Sequence, residues 1–322
     1  MSKRRAAFIF IALPGAAAFI ALICFPVFIN PFNPDPVSQE ILFSVRLPRV
    51  LTAILIGACL GASGAVLQGV LRNPLADPYI LGISSGASFF AAFGLIISSS
   101  LLAALSVNTL AFIGAALVCV IVGWLGSKGA RIVPERLLLA GIGTGFIFTS
   151  ALMLLLSVSS DPGLRRALTW IFGDLSGSDW NMLPYAFVLM AAGLAITFTR
   201  LKALDALILG NELCHSLGFS PSKERLLFFV AVSLMTAASV ALGGVIGFIG
   251  LLVPHIVRFS GHTTSNAVVP YSMALGAALL TVSDTAAKTI IAPTELPSGI
   301  ITVLIGAPYF LYLLRKKTML GD

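Results

Sequence analysis

The sequence predicts an all-α polytopic membrane protein with about ten transmembrane helices, on the basis of its composition, its apolar stretches and its charge distribution. Of its 322 residues, 58% are hydrophobic and 10% are charged, whereas soluble domains carry roughly 25% charged residues. A helix that crosses a bilayer needs about 20 apolar residues, and charge-poor stretches of that length recur from Ala7 to Leu314. The spans should be helical because an open sheet leaves backbone polar groups unpaired in lipid.

Each apolar stretch predicts one transmembrane span. The predicted spans cover residues 7–29, 47–69, 79–98, 101–126, 136–158, 181–199, 226–242, 244–260, 268–288 and 297–314. Segments that contain proline and glycine separate them, because both residues favour turns. We expect residues 1–322 to form a single transmembrane domain, with residues 200–225 as a cytoplasmic segment within it.

The first span follows the basic residues Lys3, Arg4 and Arg5 and has two interpretations. A secretory signal peptide also combines a basic start with an apolar core, but that core is only about 7–15 residues long. The apolar run here extends to Ile29, so an uncleaved transmembrane helix is favoured.

The formal net charge of +7 indicates membrane orientation rather than nucleic-acid binding. Cytoplasmic loops of membrane proteins collect Lys and Arg. Ten spans with both termini in the cytoplasm leave five of the 20 basic residues outside: Arg46, Arg49, Arg165, Arg166 and Lys288. An odd number of spans would place the two basic ends of the chain on opposite faces.

Small residues recur at a spacing of four and indicate helices whose backbones approach closely. The pairs are Gly57/Gly61, Gly82/Gly86, Gly141/Gly145 and Gly243/Gly247. The third pair also resembles a dinucleotide-binding loop, but it lies within an apolar helix rather than after a strand, which excludes that interpretation.

The motifs of an enzyme or a metalloprotein are missing from the sequence. There is no GxxxxGK[ST] loop, so ATP hydrolysis would need another subunit. The histidines lack HExxH spacing and the cysteines lack CxxC spacing. No metal site or disulfide framework is therefore indicated at His215, His255, His262, Cys24, Cys59, Cys119 or Cys214.

Two mechanisms of transport remain open. An ion-coupled carrier needs ionisable groups near the bilayer midplane, and the predicted spans contain almost none away from their ends. A permease driven by a partner ATPase needs no such groups, and it is the favoured hypothesis.

The cytoplasmic segment of residues 200–225 has the pattern of two short amphipathic helices broken at Gly210, with a further glycine at Gly218. Its apolar stripe consists of Leu204, Leu207, Ile208, Leu213 and Leu217. Such a stripe predicts a surface that faces a partner or the membrane. We favour contact with an ATPase subunit, which must transmit force through the cytoplasmic face, over a simple interfacial loop.

Four blocks of residues resemble one known family over nearly the whole chain. The first contains Arg46-Leu47-Pro48-Arg49, Gly61-Ala62-Ser63-Gly64-Ala65-Val66-Leu67-Gln68 and Arg72-Asn73-Pro74-Leu75-Ala76-Asp77-Pro78. The second is Arg136-Leu137-Leu138-Leu139-Ala140-Gly141, and the third is Gly247-Phe248-Ile249-Gly250-Leu251 with Pro254-His255 and Arg258. The fourth contains Asp284, Glu295-Leu296-Pro297, Gly299, Thr302 and Gly306-Ala307-Pro308. The chain thus resembles the FecCD or BtuC-like permeases of type II ABC importers, which take up ferric siderophores, heme and vitamin B12.

The resemblance implies a homodimer of ten-helix subunits in the cytoplasmic membrane of a prokaryote, with a central pathway. Two ABC ATPase subunits would bind ATP and Mg²⁺ below it, and an extracytoplasmic substrate-binding protein would deliver the cargo. The chain itself would hold no cofactor and catalyse no reaction. In such permeases the segment between the sixth and seventh spans forms the coupling helices, which corresponds to about residues 203–219.

The resemblance also implies functional residues at both ends of the pathway. The cytoplasmic gate corresponds to Asn73, Leu75, Pro134 and Glu135. Pro74 and Pro78 break the helix there and Leu75 could plug an aqueous path, while an ordinary helix-ending turn is the alternative.

Docking of the binding protein corresponds to Arg46, Arg49 and Lys288. Lys288 stands where the family pattern leads us to expect an arginine, and it keeps the charge without the bidentate geometry. Outer lipid phosphates are the alternative partners for these cations.

The motifs do not distinguish among the cargoes of the family, because permeases for heme, siderophores and cobalamin share them. An iron chelate, either a ferric siderophore or heme, is the favoured cargo, and a cobalamin-type corrinoid is the alternative. Uptake assays with the matching binding protein would discriminate between them.

Overall fold

The computed structural model of the chain describes residues 3–23, 35–96, 106–128, 131–159 and 161–318. Its helices are α1 Lys3–Ile23, α2 Pro36–Ile41, α3 Leu47–Val70, α4 Ile83–Ile96, α5 Val107–Leu125, α6 Pro134–Ser157, α7 Asp161–Ile171, α8 Leu183–Thr199, α9 Leu201–Leu209, α10 Asn211–Ser216, α11 Pro221–Gly243, α12 Ile249–Phe259, α13 Ser265–Thr289 and α14 Ser298–Thr318. A π-helical turn, Leu42–Arg46, joins α2 to α3, and a 3₁₀ turn, Pro78–Leu81, precedes α4. Strands β1 Ser127–Lys128 and β2 Arg131–Ile132 pair antiparallel.

The apolar helices confirm an all-α polytopic membrane protein and are compatible with ten spans. Among the described residues, five helical segments are long and apolar enough to cross a membrane: Pro36–Val70, α5, α6, α11 and α13. Helices α8 and α9 form a further candidate span that is bent by 61°. In the same part of the chain, four shorter apolar helices lie within α1, α4, α12 and α14. Cys24 and the ends of three predicted spans, at residues 24–29, 97–98 and 101–105, lie outside the described residues.

Proline and short polar side chains define where several helices begin. Proline occupies the first turn of α3, α6, α8 and α11, where the missing N–H costs no intrahelical hydrogen bond. Ser106 caps α5, because its side chain accepts a hydrogen bond from the backbone N–H of Thr109 at 3.1 Å.

Two predicted spans begin later than their hydropathy indicates. Gly82, at φ 73°, separates the 3₁₀ turn from α4 in a conformation that favours glycine. Helix α12 begins only at Ile249, after a non-helical stretch in which the backbone N–H of Ile246 donates to the hydroxyl of Tyr79 at 3.2 Å. Irregular backbone is tolerated in a membrane protein where protein groups satisfy it.

Helix α3 lies at the centre of the molecule, and nineteen of its residues are buried. A Cβ atom added to Gly57 would lie 2.3 Å from the carbonyl oxygen of Gly276 on α13, and one added to Gly64 would lie 1.9 Å from that of Gly250 on α12. These backbones touch directly, as small residues allow in membrane helices. The predicted close packing is found at Gly86 and Gly141 as well, but Gly145 has only ordinary contacts.

Helix α6 contrasts with α3 because most of its surface is open. It buries only Leu137, Gly141, Thr144 and Leu152, while Phe146 is 71% exposed. Apolar side chains that are exposed on a membrane helix face lipid or another protein surface.

Helix α7 lies within the segment from 161 to 179 that the sequence suggested to be a joint between spans. Its eleven residues are too few to cross a bilayer. It packs against α4, and Ala167 is buried in that contact.

Candidate functional site

The segment between α8 and α11 folds into two short helices that meet at Gly210, as the sequence predicts. Helix α9 ends at Leu209 and α10 begins at Asn211. Gly210 has φ 140° and Gly218 has φ 83°, and nothing lies within 4 Å of a Cβ placed on either residue. Backbone conformation rather than space therefore requires glycine at both positions.

The predicted apolar stripe of this segment divides into a buried and an exposed part. Leu204 and Leu207 are each 1% exposed and pack into the body of the protein, so the prediction that they face outward is wrong. Leu213 and Leu217 are 42% and 57% exposed, and Ile208 is 38% exposed. Because α9 packs against α3 and α13, its inward leucines anchor the segment, while α10 presents the free apolar surface.

Hydrogen bonds in the middle and in the last turn of α9 reinforce this anchor. The backbone N–H of Ser265, at the start of α13, donates to the carboxylate of Asp205 at 2.8 Å. The guanidinium of Arg72 donates to the carbonyl oxygen of Leu207 at 2.8 Å. A cation at a helix C-terminus also stabilises the helix dipole. Movement of α9 would therefore be transmitted to α3 and α13.

Cys214 is the buried residue of α10. Burial raises the pKa of its thiol, and the nearby carboxylate of Glu224 raises it further. Thiols react as thiolates, so this cysteine should be slow to react at neutral pH.

The predicted gate residues lie in two groups. The side-chain oxygen of Asn73 accepts from the backbone N–H of Leu75 at 2.9 Å, which forms a tight turn after α3. Leu75 is 46% exposed at the tip of this turn. Pro134 and Glu135 begin α6 and line a cavity that also borders Arg72. Asn73 and Leu75 are not among the residues that line this cavity.

Two of the predicted docking cations form a buried cluster with one carboxylate. Asp284 is 2% exposed and pairs with Arg49 at 2.9 Å and with Lys288 at 2.9 Å. The hydroxyl of Ser298 donates to the same carboxylate at 2.8 Å. The other side of the Arg49 guanidinium pairs with Glu295 at 2.7 Å. The cluster joins α3, α13 and the start of α14, and with Glu295 included its two cations face two carboxylates, so it is formally neutral.

Arg46, the third predicted docking cation, is also buried, at 7% exposure. Its guanidinium donates to the carbonyl oxygen of Leu22 on α1 at 2.8 Å. Among Arg46 and the charged residues of this cluster, Glu295 has the most open side chain, at 47% exposure. The docking role of the three cations stays a prediction, and any acidic partner would meet Glu295 before Arg49.

Within the described ranges, no group of three or more His, Cys, Asp or Glu residues could hold a metal ion. The buried acids of this part of the chain have internal partners instead. Glu224, at the start of α11, pairs with Arg200 at 2.9 Å, and the backbone N–H of Tyr79 donates to Asp77 at 2.8 Å.

The model of the FecCD transport family matches residues 6–316 of this chain. The chain belongs to the FecCD transport family.

Relatives within the family are similar over most of their length. The hemin transport system permease protein HmuU of Yersinia pestis is 38% identical over 281 residues, and the match covers 86% of this chain and 84% of that protein. The cobalamin import system permease protein BtuC of Halobacterium salinarum is 37% identical, with coverage of 89% and 76%. A solved structure of an inward-facing metal-chelate type ABC transporter superposes with a TM-score of 0.87 at 31% identity, and it covers 97% of this chain and 99% of that one.

The FecCD permease also contains polar contacts between helices that the sequence did not reveal. Asp284 lies four residues before Lys288, a spacing that places both on one helix face and could have indicated the pair. Gln68 of α3 donates to the carbonyl oxygen of Gly250 at 3.2 Å and accepts from Arg258 of α12. These motif residues thus hold α12 against α3.

Proposed function

We propose that this FecCD permease is the membrane-spanning subunit of an ATP-binding-cassette importer that moves an iron chelate, either a ferric siderophore or heme, across the cytoplasmic membrane. The full-length match to the family carries this proposal. The hemin-transport relative and the metal-chelate transporter structure support an iron chelate as the cargo.

A cobalamin-type corrinoid is the second candidate cargo. It is favoured by the cobalamin-import relative, whose identity to this chain differs by one percentage point from that of the hemin-transport relative. Overall similarity therefore does not rank the two cargoes, and uptake must be measured for each.

The proposed assembly is a homodimer with two ABC ATPase subunits on the cytoplasmic side and a substrate-binding protein outside. ATP and Mg²⁺ would bind to the ATPase, and both termini of the permease would lie in the cytoplasm. The exposed apolar surface of α10, with Leu213 and Leu217, supports a contact with a partner on the face that carries the coupling segment.

Reconstituted uptake tests the proposal. Proteoliposomes that contain the permease, its ATPase and its binding protein should accumulate heme or a ferric siderophore only when ATP is present. Accumulation of cyanocobalamin instead would select the second cargo. Accumulation by the permease alone under a proton or sodium gradient would contradict the proposal and indicate a secondary transporter.

The coupling segment is tested at Leu213 rather than at Leu207, because a charge at the buried Leu207 would disturb the fold itself. Leu213→Asp should weaken ATPase binding by about tenfold or more, since it forces a carboxylate into an apolar contact. Val158→Asp is the matched control, because Val158 is an exposed apolar residue at the far end of α6. Normal ATPase binding and uptake in Leu213→Asp would remove α10 from the mechanism.

The docking prediction is tested by charge removal at Arg46. Arg46→Gln should weaken binding of the cognate binding protein and make the remaining affinity less dependent on salt. Arg165→Gln is the control, because Arg165 is an exposed cation of α7. Unchanged binding in Arg46→Gln at low salt would favour the lipid-phosphate alternative.

A further inference from the structure

A cavity of about 870 Å³ opens beside the coupling segment, between the end of α3, the start of α6, helix α10 and the start of α11. Strand β2 closes another side. The cavity borders Pro134 and Glu135 of the predicted gate and Asn211 and His215 of α10. A ligand in this space would therefore touch both parts of the predicted machinery.

The charges that line the cavity are strongly unbalanced. Four permanent cations, Arg72, Arg131, Lys223 and Arg225, face a single carboxylate, that of Glu135. The buried Glu224 is not a lining residue and pairs with Arg200. Cations that share a cleft with low-dielectric walls focus a positive potential into it.

Two of these cations converge on one neutral group. The guanidinium of Arg225 donates to the side-chain oxygen of Asn211 at 2.6 Å, and that of Arg72 donates to the same oxygen at 3.3 Å. The Nε atom of Arg225 is buried without a hydrogen-bond partner among the described residues. A buried donor that lacks a partner is costly, and two cations that share one acceptor repel each other. A bound anion would give the Arg225 donor an acceptor and would reduce the repulsion between the two cations.

Two helix N-termini add to the positive character. Helices α6 and α11 begin at the cavity with Pro134 and Pro221. The residues that precede them, Val133 and Ser220, make no side-chain cap hydrogen bond. The N–H groups of a first helical turn have no partner within the helix, and together with the positive end of the helix dipole they favour phosphate at such positions.

We propose that this cavity binds a phosphate-bearing anion, either the headgroup of an anionic lipid or a soluble phosphate compound. Arginine guanidinium groups match the geometry of phosphate oxygens, which makes Arg72 and Arg225 suitable ligands. The volume leaves room for a phosphate together with its substituent. This proposal concerns the permease itself and holds whichever cargo it carries.

The test uses the full-length permease, stripped of lipid and placed in nanodiscs of phosphatidylcholine. Binding of radiolabelled inorganic pyrophosphate is measured by equilibrium dialysis, and retention of added phosphatidylglycerol is measured by mass spectrometry. Arg225→Gln should weaken binding of one probe by at least about tenfold, the effect of losing a charge-assisted hydrogen bond. Binding in the wild type should also fall as salt rises.

Lys202→Gln is the matched control, because Lys202 is an exposed cation of α9 that does not line the cavity. Arg225→Lys keeps the charge and should retain part of the binding, which a misfolded variant would not. Pyrophosphate binding that depends on Arg225 would identify a soluble phosphate as the ligand. Phosphatidylglycerol retention with the same dependence, without pyrophosphate binding, would identify a lipid headgroup. Binding of neither probe, or an equal loss in Lys202→Gln, would overturn the proposal.

Discussion

Replacing Asp284 by asparagine should destabilise the permease far more than a change of similar size at Glu295. Asp284 is almost completely buried and receives hydrogen bonds from Arg49, Lys288 and Ser298. Asparagine keeps the shape but removes the charge. Two buried cations would then face a neutral amide, and Glu295 would remain as the counter-charge on one side of Arg49.

The size of the loss in the free energy of unfolding follows from the burial of each carboxylate. Removing one partner of a buried ion pair costs about 3–5 kcal/mol, because the remaining charge is left uncompensated. Glu295 is half exposed, and a solvent-exposed ion pair contributes about 0–1 kcal/mol. The free energies of unfolding of Asp284→Asn and Glu295→Gln should therefore differ by about 2 kcal/mol or more.

The assay is reversible unfolding in mixed micelles by titration with sodium dodecyl sulfate, followed by tryptophan fluorescence. Adding Lys288→Met to Asp284→Asn should recover part of the lost free energy, because it removes one unpaired cation. If Asp284→Asn and Glu295→Gln lose equal and small amounts of unfolding free energy, the argument that the cluster stabilises the fold is refuted.

Three further predictions concern packing, topology and thiol reactivity. Gly64→Ala should cost about 1–3 kcal/mol or prevent folding, since its Cβ would collide with the backbone of Gly250, whereas Gly143→Ala meets nothing within 4 Å and should be neutral in the same unfolding assay. A cysteine at position 165 should react with impermeant maleimide from outside the cell, and labelling only from the inside would contradict the ten-span topology. Cys214, kept as the single cysteine, should react slowly with maleimide at pH 7 and faster as the pH rises above the ordinary thiol range, because its pKa is raised. Fast labelling at pH 7 would show that the thiol is not buried.

Hydropathy predicts the order and the number of apolar helices because each span must be apolar over its own length, a local property. It does not predict where a span is interrupted. The stretch between Gly244 and Phe248 is as apolar as a helix, but its backbone is held by a contact with Tyr79, which lies far away in sequence. Helix α7 was missed for a similar reason, because its short length and mixed polarity resemble those of a loop.

In the candidate site, too, features set by neighbouring residues can be predicted from the sequence, whereas features set by contacts between distant residues cannot. The break at Gly210 is a local signal, and the two helices around it were predicted correctly. The opposite environments of Leu207 and Leu213 depend on how α9 docks on α3, which the periodicity of one short segment does not contain. The pairing of Arg49 with Asp284 joins residues 235 positions apart, so the sequence indicated the cations without their partner.

The near-complete burial of α3 leaves it less free to change in evolution than the open helix α6. Gly57 and Gly64 of α3 contact the backbones of α13 and α12, so a side-chain atom added at either position would displace a neighbouring helix. The open surface of α6 has few such constraints, and a residue such as Phe146 can change without repacking the interior. We expect permeases of this family to diverge on α6 while α3 stays nearly the same.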